Sequence, residues 1–544
     1  MYKRVPTHPV FIDMSSHPKI IRNAYVVLCA CVSAMWASMV LPNALYDGMQ
    51  STSTWSLTQV ALIYTIQIFT IFLTGPIWGI IATKVSGRVL LTLGLVVSGF
   101  LNCMVAASVH SYVGVFLIHI IKGIFLAPCQ IITRGMVAKY YKLEERSTKY
   151  GQLELAAGIG GLIGVVFGAS SFIGGAEGYY GNFPKWGVPF LLLGFSYFPL
   201  AYCVNKFVVD PDHDIRFVER KFGISNHTAL FPGMVDGDVN LTHSAVRKLC
   251  TNKTWFVISL QGVTGATPWP ALGMLLYYFQ LMGINDFLAI FISSAVAIGA
   301  ALGGLIGGKL GDYAYKRSPK YGRIVVSQVS VIVGIPLLAI FFFAIPNQPN
   351  RWWLYAMYGI LSGSLISWSA PCNIAMLSDV FDQLTFPFAF GVEQMFEGAI
   401  AAWAPTVVAG IATAFGVGEL KNFDEKTPEE RESDISGLGS ALYVICAVGW
   451  GLCAISMCGM YYVYPKDSIS LNKKESPATT NSESSEEDPN MQHVPVVVPF
   501  PPTPPPTEVG TETSNTIVNT EMFKVSVVTR NSQASTPNST HYRV

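Results

Sequence analysis

Residues 285–324 read NDFLAIFISSAVAIGAALGGLIGGKLGDYAYKRSPKYGRI. The stretch from Phe287 to Gly308 carries no charged residue, and a loop rich in basic side chains follows it: Lys309, Lys316, Arg317, Lys320 and Arg323. A helix needs about 20 predominantly apolar residues to cross the hydrocarbon core of a bilayer. This stretch therefore predicts one transmembrane helix that leaves the membrane in a basic loop.

The composition indicates that such helices make up most of the chain. Of its 544 residues 13% are charged, against about 25% in soluble domains, and the mean hydropathy is +0.42. A soluble protein of 59.2 kDa could not bury this much apolar surface in one core. Membrane lipid is thus an expected partner. The net charge of +1 supplies no basic field, so no nucleic-acid partner is expected.

The apolar runs divide the chain into two sets of six. We predict an all-α membrane protein with twelve spans, numbered first to twelfth along the chain. They cover residues 23–46, 57–82, 88–109, 111–133, 150–174, 187–208, 254–282, 285–308, 323–345, 352–378, 386–416 and 437–463. The domains that follow are a 1–22 N-terminus, a 23–208 bundle, a 209–253 central loop, a 254–464 bundle and a 465–544 tail.

Lysine and arginine concentrate in alternate loops. They are frequent before the first span and after the second, fourth, sixth and eighth; the loop after the fourth is assigned Arg134, Lys139, Lys142, Arg146 and Lys149. The opposite loops hold few bases, and several of those lie among acids. Because basic loops stay cytoplasmic, we expect both termini in the cytoplasm. Loop charge does not distinguish one host membrane from another.

The tail differs in composition from the rest of the chain. It is polar and acidic over 481–488, rich in proline over 499–506, and then dominated by Ser and Thr. Such a composition predicts disorder. The proline tract is either a ligand for a cytoplasmic partner that reads polyproline II helices or a plain solvated segment.

Two similar signatures follow the second and eighth spans. The first runs from Gly79 through Thr83 and Lys84 to Gly87-Arg88. The second reads Gly308-Lys309-Leu310-Gly311-Asp312 and, after an insertion, Gly322-Arg323-Ile324. His119-Ile-Ile-Lys122-Gly123 in the fourth span and Phe396-Glu397-Gly398 in the eleventh are further motifs.

These segments resemble the major facilitator superfamily, and the segment Leu260–Trp269 resembles its Spinster-like branch of protists and plants. The resemblance covers about residues 20–465 and implies two pseudo-symmetric six-helix bundles. It implies a cytoplasmic gate in which the signature acid meets a facing helix end and the bases bind carboxylates: Lys84, Arg88, Asp312 and Arg323. Thr83 replaces the acid of the first signature, so the gate is expected to rest mainly on Asp312. His119 replaces an arginine that is linked to proton coupling in some relatives.

Glycines recur every four residues in two spans. Gly160, Gly164 and Gly168 form such a row in the fifth span, and the eighth span has Gly299, Gly303, Gly307 and Gly311. Rows of this kind let helix backbones approach closely. In the superfamily's fold the fifth and eighth helices face each other across the halves. The rows therefore predict close packing, with a moving interface as an additional role.

Ionisable residues at membrane depth are candidate transport residues because an unpaired charge there is costly. Lys122 and Glu397 lie near the middle of their spans, and Glu154, Glu393 and His119 are further candidates. We expect Lys122 to line the central cavity and to pair with Glu154 or Glu397 in one conformation. A permanent structural bridge, or snorkelling of Glu154 and Glu393, is the alternative.

Polar residues near helix breaks add further candidates. Thr267-Pro268-Trp269-Pro270 must break the seventh span, with Gln261 upstream, and Ser369-Ala370-Pro371 must break the tenth, with Asn373 beyond. Gln130 lies in the fourth span. Ligand contact and simple hinge geometry are both open for the prolines.

No enzyme motif, metal-binding pair or cofactor-binding motif is visible, and a P-loop for ATP is missing from the sequence. We therefore predict a secondary active transporter that moves a small organic solute by alternating access, with proton coupling as one option. A cavity with Lys122 favours an anionic or amphipathic solute. The alternative is a non-transporting membrane scaffold or solute receptor acting through the tail.

Overall fold

The computed structural model describes residues 18–45, 57–168, 178–181, 183–211, 213–214, 238–417 and 427–475, together with Met49, Ser53 and Trp55. The acidic stretch 481–488 and the proline tract 499–506 lie outside these residues. Their predicted disorder and the predicted cytoplasmic partner stay predictions.

The first half contains six long helices. They are Pro18–Ala44, Leu57–Ile81, Gly87–Ala107, Tyr112–Tyr140, Leu143–Gly168 and Gly187–Phe207. Between the fifth and sixth spans, strands β1 (Tyr179–Tyr180) and β2 (Phe183–Pro184) pair antiparallel, with Tyr179 opposite Pro184. Each predicted span of this half is a helix.

The second half is also helical, but several of its spans are interrupted. A connecting helix, Asp238–Thr251, precedes the seventh span, and a terminal helix, Ile469–Glu475, follows the twelfth. The spans are Lys253–Ala266 with Pro268–Leu272 and Leu275–Leu281, Asp286–Arg317, Gly322–Ala339 with a π-helical turn Ile340–Ala344, Trp352–Ile366 with Ser369–Val380, Phe386–Ala401 with Ala404–Ala414, and Pro428–Asp467. A 3₁₀ turn, Pro349–Arg351, leads into the tenth span.

The twelve-helix prediction is confirmed. Within the described residues, 11 helices are long and apolar enough to cross a membrane, and the seventh span is the twelfth crossing in three pieces. The predicted breaks in the seventh and tenth spans are both present. A third break, at Ala402–Trp403 in the eleventh span, was not predicted, although Pro405 at the start of the next helix could have indicated it.

Several predicted boundaries are wrong because helices continue past the apolar run into polar residues. The first span begins at Pro18, the fourth continues to Tyr140, and the fifth begins at Leu143. The twelfth begins at Pro428, where Thr427 and Glu430 form a capping box. Residues 465–475 are helical, so the predicted start of the disordered tail at 465 is also wrong.

Two apolar cores show where the halves meet. One core extends through the first half and continues into the second half through the segment from Ile374 to Phe390, with Met460 and Tyr464. The other core, which includes Ala271 and Met457, lies within the second half. The halves therefore share a core near the ends of the tenth and eleventh spans that flank the loop 381–385.

The glycine rows pack within each half rather than between the halves. A Cβ at Gly160 or Gly164 would lie within 2.7 Å of the first span, at Ser33 or Ala37, and Gly299 and its row face the tenth span. The interface between the fifth and eighth spans uses other faces of these helices, since a Cβ at Gly151 would lie 2.3 Å from the carbonyl oxygen of Gly304. Gly151 lies about half a turn round the helix from Gly160, and Gly304 lies about 100° round from Gly303, so each of them faces a different helix from its row.

Candidate functional site

Asp312 joins the two halves at the end of the eighth span. Its carboxylate accepts hydrogen bonds from the backbone N–H groups of Ser147 (3.0 Å) and Thr148 (2.7 Å), in the first turns of the fifth span. A carboxylate at a helix N-terminus is stabilised by the helix dipole. Arg323 pairs with Asp312 at 2.9 Å and donates to the Ser147 hydroxyl and the Leu143 carbonyl. We name this group the inner gate.

The first signature is organised differently, inside its own half. Thr83 and Lys84 lie in the turn after the second span, and the Thr83 hydroxyl donates to the carbonyl of Ile80 in the last turn of that helix. Arg88 pairs with Asp214 at 3.0 Å, after the sixth span. This ion pair therefore joins the start of the third span to the segment after the sixth span.

Asp210 provides the acid that the first signature lacks. It accepts from the backbone N–H of Gly87 at 2.8 Å, pairs with Lys139 at 2.7 Å and lies 3.3 Å from His213. Burial disfavours the charged carboxylate, but the Lys139 ammonium and the hydrogen bonds outweigh it and hold the pKa of Asp210 well below its usual range. The cluster fixes the start of the third span and the end of the fourth.

His213 should make the stability of the first half depend on pH. Burial lowers its pKa, but the hydrogen bond and charge of Asp210 outweigh burial and raise the pKa above the ordinary value. The stabilisation is then fully present below about pH 6.5 and is lost as pH rises through the folded-state pKa. We expect wild type to lose at most about 1.4 kcal/mol per pH unit in this window relative to His213→Gln.

Thermal unfolding of the full chain in detergent from pH 5 to pH 8.5 measures this effect. His110→Gln, which replaces an exposed histidine, is the control and should keep the wild-type pH dependence. Parallel curves for wild type and His213→Gln would contradict the prediction.

The N-terminus of the eleventh span is held by its own loop. Asp382 accepts from the backbone N–H of Thr385 at 2.9 Å and pairs with Lys248 of the connecting helix at 2.6 Å. Although burial acts in the opposite direction, these hydrogen bonds lower the pKa of Asp382. The N-terminus of the fifth span is thus bound by an acid of the other half, Asp312, whereas the N-terminus of the eleventh span is bound by an acid of its own half, Asp382.

Arg134 of the fourth span contacts residues of both halves. It pairs with Glu154 of the fifth span at 2.7 Å and donates to the Gln130 side chain and carbonyl at 3.0 and 3.1 Å. Its guanidinium lies 5.6 Å from the centroid of the Phe390 ring in the eleventh span. Arg134 is 2% exposed and Glu154 is partly exposed, so the pair is accessible from the carboxylate side.

Gln394 continues this network into the second half. Its carbonyl oxygen accepts from Gln130 at 3.1 Å, and its amide nitrogen donates to Glu393 and to Glu397, each at 3.0 Å. The two carboxylates therefore both accept a hydrogen bond from the same Gln394 amide group. Glu393 is buried, whereas Glu397 and Gln394 are partly exposed. The chain of contacts from Glu154 to Glu397 is the candidate functional site.

The seventh span forms a further wall of this site. A Cβ at Gly262 would lie 3.1 Å from Glu393 Oε1 and 3.3 Å from Glu397 Oε2, so a larger residue would push both carboxylates by a few tenths of an ångström. Gln261 is buried beside it and contacts Cys453 of the twelfth span at 3.4 Å. Trp269 is 37% exposed at the helix break, and Asn373 bonds only weakly within its own helix, to Ser369 at 3.4 Å.

Lys122 and His119 lie elsewhere, inside the first half. Lys122 is fully buried, donates to Asn102 of the third span at 3.2 Å and lies 5.1 Å from the ring centroid of Phe190 in the sixth. His119 contacts the carbonyl of Val115 and the same ring. In this structure Lys122 pairs with neither Glu154 nor Glu397, because its side chain points toward the third and sixth spans.

Four of the predicted residues thus come together: Gln130, Glu154, Glu393 and Glu397. The sequence analysis missed Arg134 and Gln394. Arg134 was assigned to a loop because its charge was taken as the end of the apolar run. The run continues from Gly135 to Ala138, and Gln130 lies one helical turn before Arg134, so both could have indicated that Arg134 lies within the helix. Arg146 and Lys149 were likewise assigned to a loop and lie in the fifth helix.

This arrangement agrees with the comparison to protein families. The sequence profile of the Major Facilitator Superfamily matches residues 26–358, which is more than half of the chain. The chain belongs to this superfamily. It is therefore a multi-pass membrane transporter, a secondary carrier that moves small-molecule solutes by alternating access, and not an enzyme. A search of curated protein sequences finds no match.

Solved structures show the same fold at low sequence identity. A bacterial homologue of the human lysosomal transporter Spinster, inward-facing and unoccupied, has a TM-score of 0.56 at 14% identity, over 82% of this chain and 98% of that one. The E. coli fucose:proton symporter has a TM-score of 0.51 at 15% identity, over 80% of this chain and 99% of that one. A proton:xylose symporter bound to 6-bromo-6-deoxy-D-glucose has a TM-score of 0.56 at 13% identity, over 80% of this chain and 96% of that one. The first likeness agrees with the predicted Spinster-like branch.

Proposed function

We propose that this carrier is proton-coupled, and that the chain of contacts from Glu154 through Arg134, Gln130 and Gln394 to Glu393 and Glu397 couples proton binding to alternating access. The observation that carries the proposal is the 3.1 Å hydrogen bond between Gln130 and Gln394, which joins the ionic groups of the two halves at membrane depth. A rearrangement of the halves must break this bond. The charged groups on both sides then exchange partners.

The proton is taken up by the carboxylate pair. Glu393 and Glu397 both accept from one Gln394 amide, and two like charges this close in a poorly solvated site do not both stay ionised. A proton shared between them is stable while Gln394 holds both side chains. When the halves separate, Glu397 faces the opening and exchanges its proton with water.

The solute competes for Arg134. An anionic or amphipathic organic solute would displace Glu154 and take over its charge-assisted hydrogen bond, leaving Glu154 as a second proton acceptor. This retains the alternating ion pair that the sequence suggested for Lys122, with Arg134 as the cation. The gate residues lie on the face that the loop charges assign to the cytoplasm, and a closed gate there favours a site that opens toward the opposite face.

Proton coupling is tested with Glu393→Gln and Glu397→Gln in proteoliposomes. We expect each variant to lose solute accumulation driven by a pH gradient by at least about tenfold, because the remaining carboxylate no longer has the like charge beside it that favours proton uptake. Exchange of solute at equal pH should persist, since exchange needs no net proton transfer. Glu429→Gln, an exposed carboxylate at the start of the twelfth span, is the control.

Accumulation at wild-type levels in both variants would overturn the proton-coupling proposal. Flux that does not saturate and shows no counterflow would instead indicate a channel. A protein that binds solute without any flux would support the receptor alternative that acts through the tail.

A further inference from the structure

The segment after the twelfth span is anchored to the cytoplasmic end of the tenth span through one carboxylate. Asp379, 5% exposed, accepts hydrogen bonds from Tyr464 (3.0 Å), Ser468, the Ser470 hydroxyl (3.1 Å) and the Ser470 backbone N–H (3.2 Å). These donors lie at the end of the twelfth span and the start of the terminal helix. Asp379 therefore holds the terminal helix in place.

The same anchor reaches the inner gate by two short routes. The Ser470 hydroxyl lies 3.2 Å from that of Tyr315 in the eighth span, and the guanidinium of Arg323 lies 4.0 Å from the centroid of the Tyr315 ring. On the other side, Ser378 precedes Asp379 and accepts two hydrogen bonds from Arg146 of the first half, at 2.8 and 3.1 Å. Release of the terminal helix would thus disturb contacts that close the gate.

We propose that Ser470 is a regulatory phosphorylation site whose modification releases the terminal helix and loosens the inner gate. A protein kinase transfers the γ-phosphoryl group of ATP to Ser470 Oγ: the new P–O bond replaces the O–H bond, and ADP and a proton leave. Of the two serine hydroxyls that donate to Asp379, that of Ser468 belongs to a fully buried residue and that of Ser470 to a partly exposed one, so Ser470 is the serine that a kinase can reach.

The phosphate cannot stay where the hydroxyl lies. It carries about −1.5 to −2 charges at neutral pH, is no longer a donor, and would lie against the Asp379 carboxylate. Arg323, which stacks on the Tyr315 ring, is already held by Asp312, Ser147 and Leu143. Like-charge repulsion therefore displaces the terminal helix. The proposal rests on the cytoplasmic orientation of the tail and is independent of the solute and of proton coupling.

Cys372 reports on the gate without any transport assay. It is fully buried, with its sulfur 2.5 Å from the place of a Cβ at Gly311 and 3.7 Å from the carbonyl oxygen of Gly307. In the purified full chain, maleimide labelling of the Cys372 peptide is followed by mass spectrometry. We expect Ser470→Glu to label at least about fivefold faster than wild type, while Ser470→Ala stays close to wild type.

Asn472→Glu is the matched control, because it adds the same charge to an exposed position of the same helix. It should label at the wild-type rate, and the double variant Asp379→Asn/Ser470→Glu should regain part of the protection. A wild-type rate for Ser470→Glu, or an equal increase for Asn472→Glu, would overturn the mechanism.

The modification itself is measured on the full chain purified from eukaryotic cells. Phosphate on the Ser470 peptide, with protection of Cys372 restored by phosphatase, is the expected result. A fully covered Ser470 peptide that carries no phosphate, with and without phosphatase inhibitors, would overturn the assignment of the site.

Discussion

Arg134→Ala should abolish transport and also destabilise the protein. The substitution leaves the Glu154 carboxylate without the cation that lies 2.7 Å from it, and removes the two hydrogen bonds that position Gln130 for Gln394. Breaking a buried ion pair by removing one partner costs about 3–5 kcal/mol. Solute binding is weakened separately, because the solute loses its charge-assisted contact with Arg134; a loss of about 3 kcal/mol in solute binding lowers the flux at low solute concentration by about 100-fold.

Two variants separate the loss of function from the loss of fold. Arg134→Gln combined with Glu154→Gln removes both charges, so the folded yield and the thermal midpoint should recover while transport stays lost. Arg134→Lys keeps the charge but not the guanidinium geometry that reaches Gln130 and Glu154 together, and should retain intermediate activity. Arg317→Ala, an exposed arginine at the end of the eighth span, is the control.

Flux assays in proteoliposomes and thermal unfolding in detergent measure the two effects. If the double variant transports at the wild-type rate, the ion pair has only a structural role. If Arg134→Ala transports normally, the network is not the coupling site.

The parts of this architecture that depend on local chemistry were predictable from the sequence. Each span needs its own apolar run, so twelve runs predict twelve crossings, and Pro268 and Pro371 mark breaks because proline removes a backbone donor. Gln130, Glu154 and Glu397 stood out as polar groups within apolar runs. These inferences need no knowledge of which helix lies next to which.

The parts that depend on neighbouring helices were not predictable in the same way. Lys122 and Arg134 are both cations in the fourth span, but they are twelve residues apart and contact different helices: Lys122 bonds to Asn102 and Arg134 pairs with Glu154. A period of 3.6 residues specifies a face, not the helix that the face meets. For the same reason Asp210 could not be recognised as the acid that serves the signature containing Thr83, since more than 120 positions separate them in the chain.

Gly151→Val should keep the protein folded but prevent it from closing at the inner gate. A Cβ at position 151 would lie 2.3 Å from the Gly304 carbonyl oxygen and 3.2 Å from the Cα of Leu305, all backbone atoms of the other half. These atoms cannot move without shifting the eighth span, so the halves must separate instead. Each half keeps its internal packing, and we expect a near-normal folded yield, faster maleimide labelling of Cys372 and at least about tenfold lower flux.

Gly160→Val gives the contrast that tests this interpretation, because the same substitution on the opposite face of the same helix acts inside one half. A Cβ at 160 would lie 2.1 Å from the carbonyl oxygen of Ser33 in the first span, so this variant should lose folded yield rather than switch conformation. Gly451→Val, where nothing lies within 4 Å of the added atom, should behave as wild type. Equal losses of yield in Gly151→Val and Gly160→Val would show that the fifth and eighth spans form a permanent contact, and the face lined by Gly151 and Gly304 would then be packing surface alone.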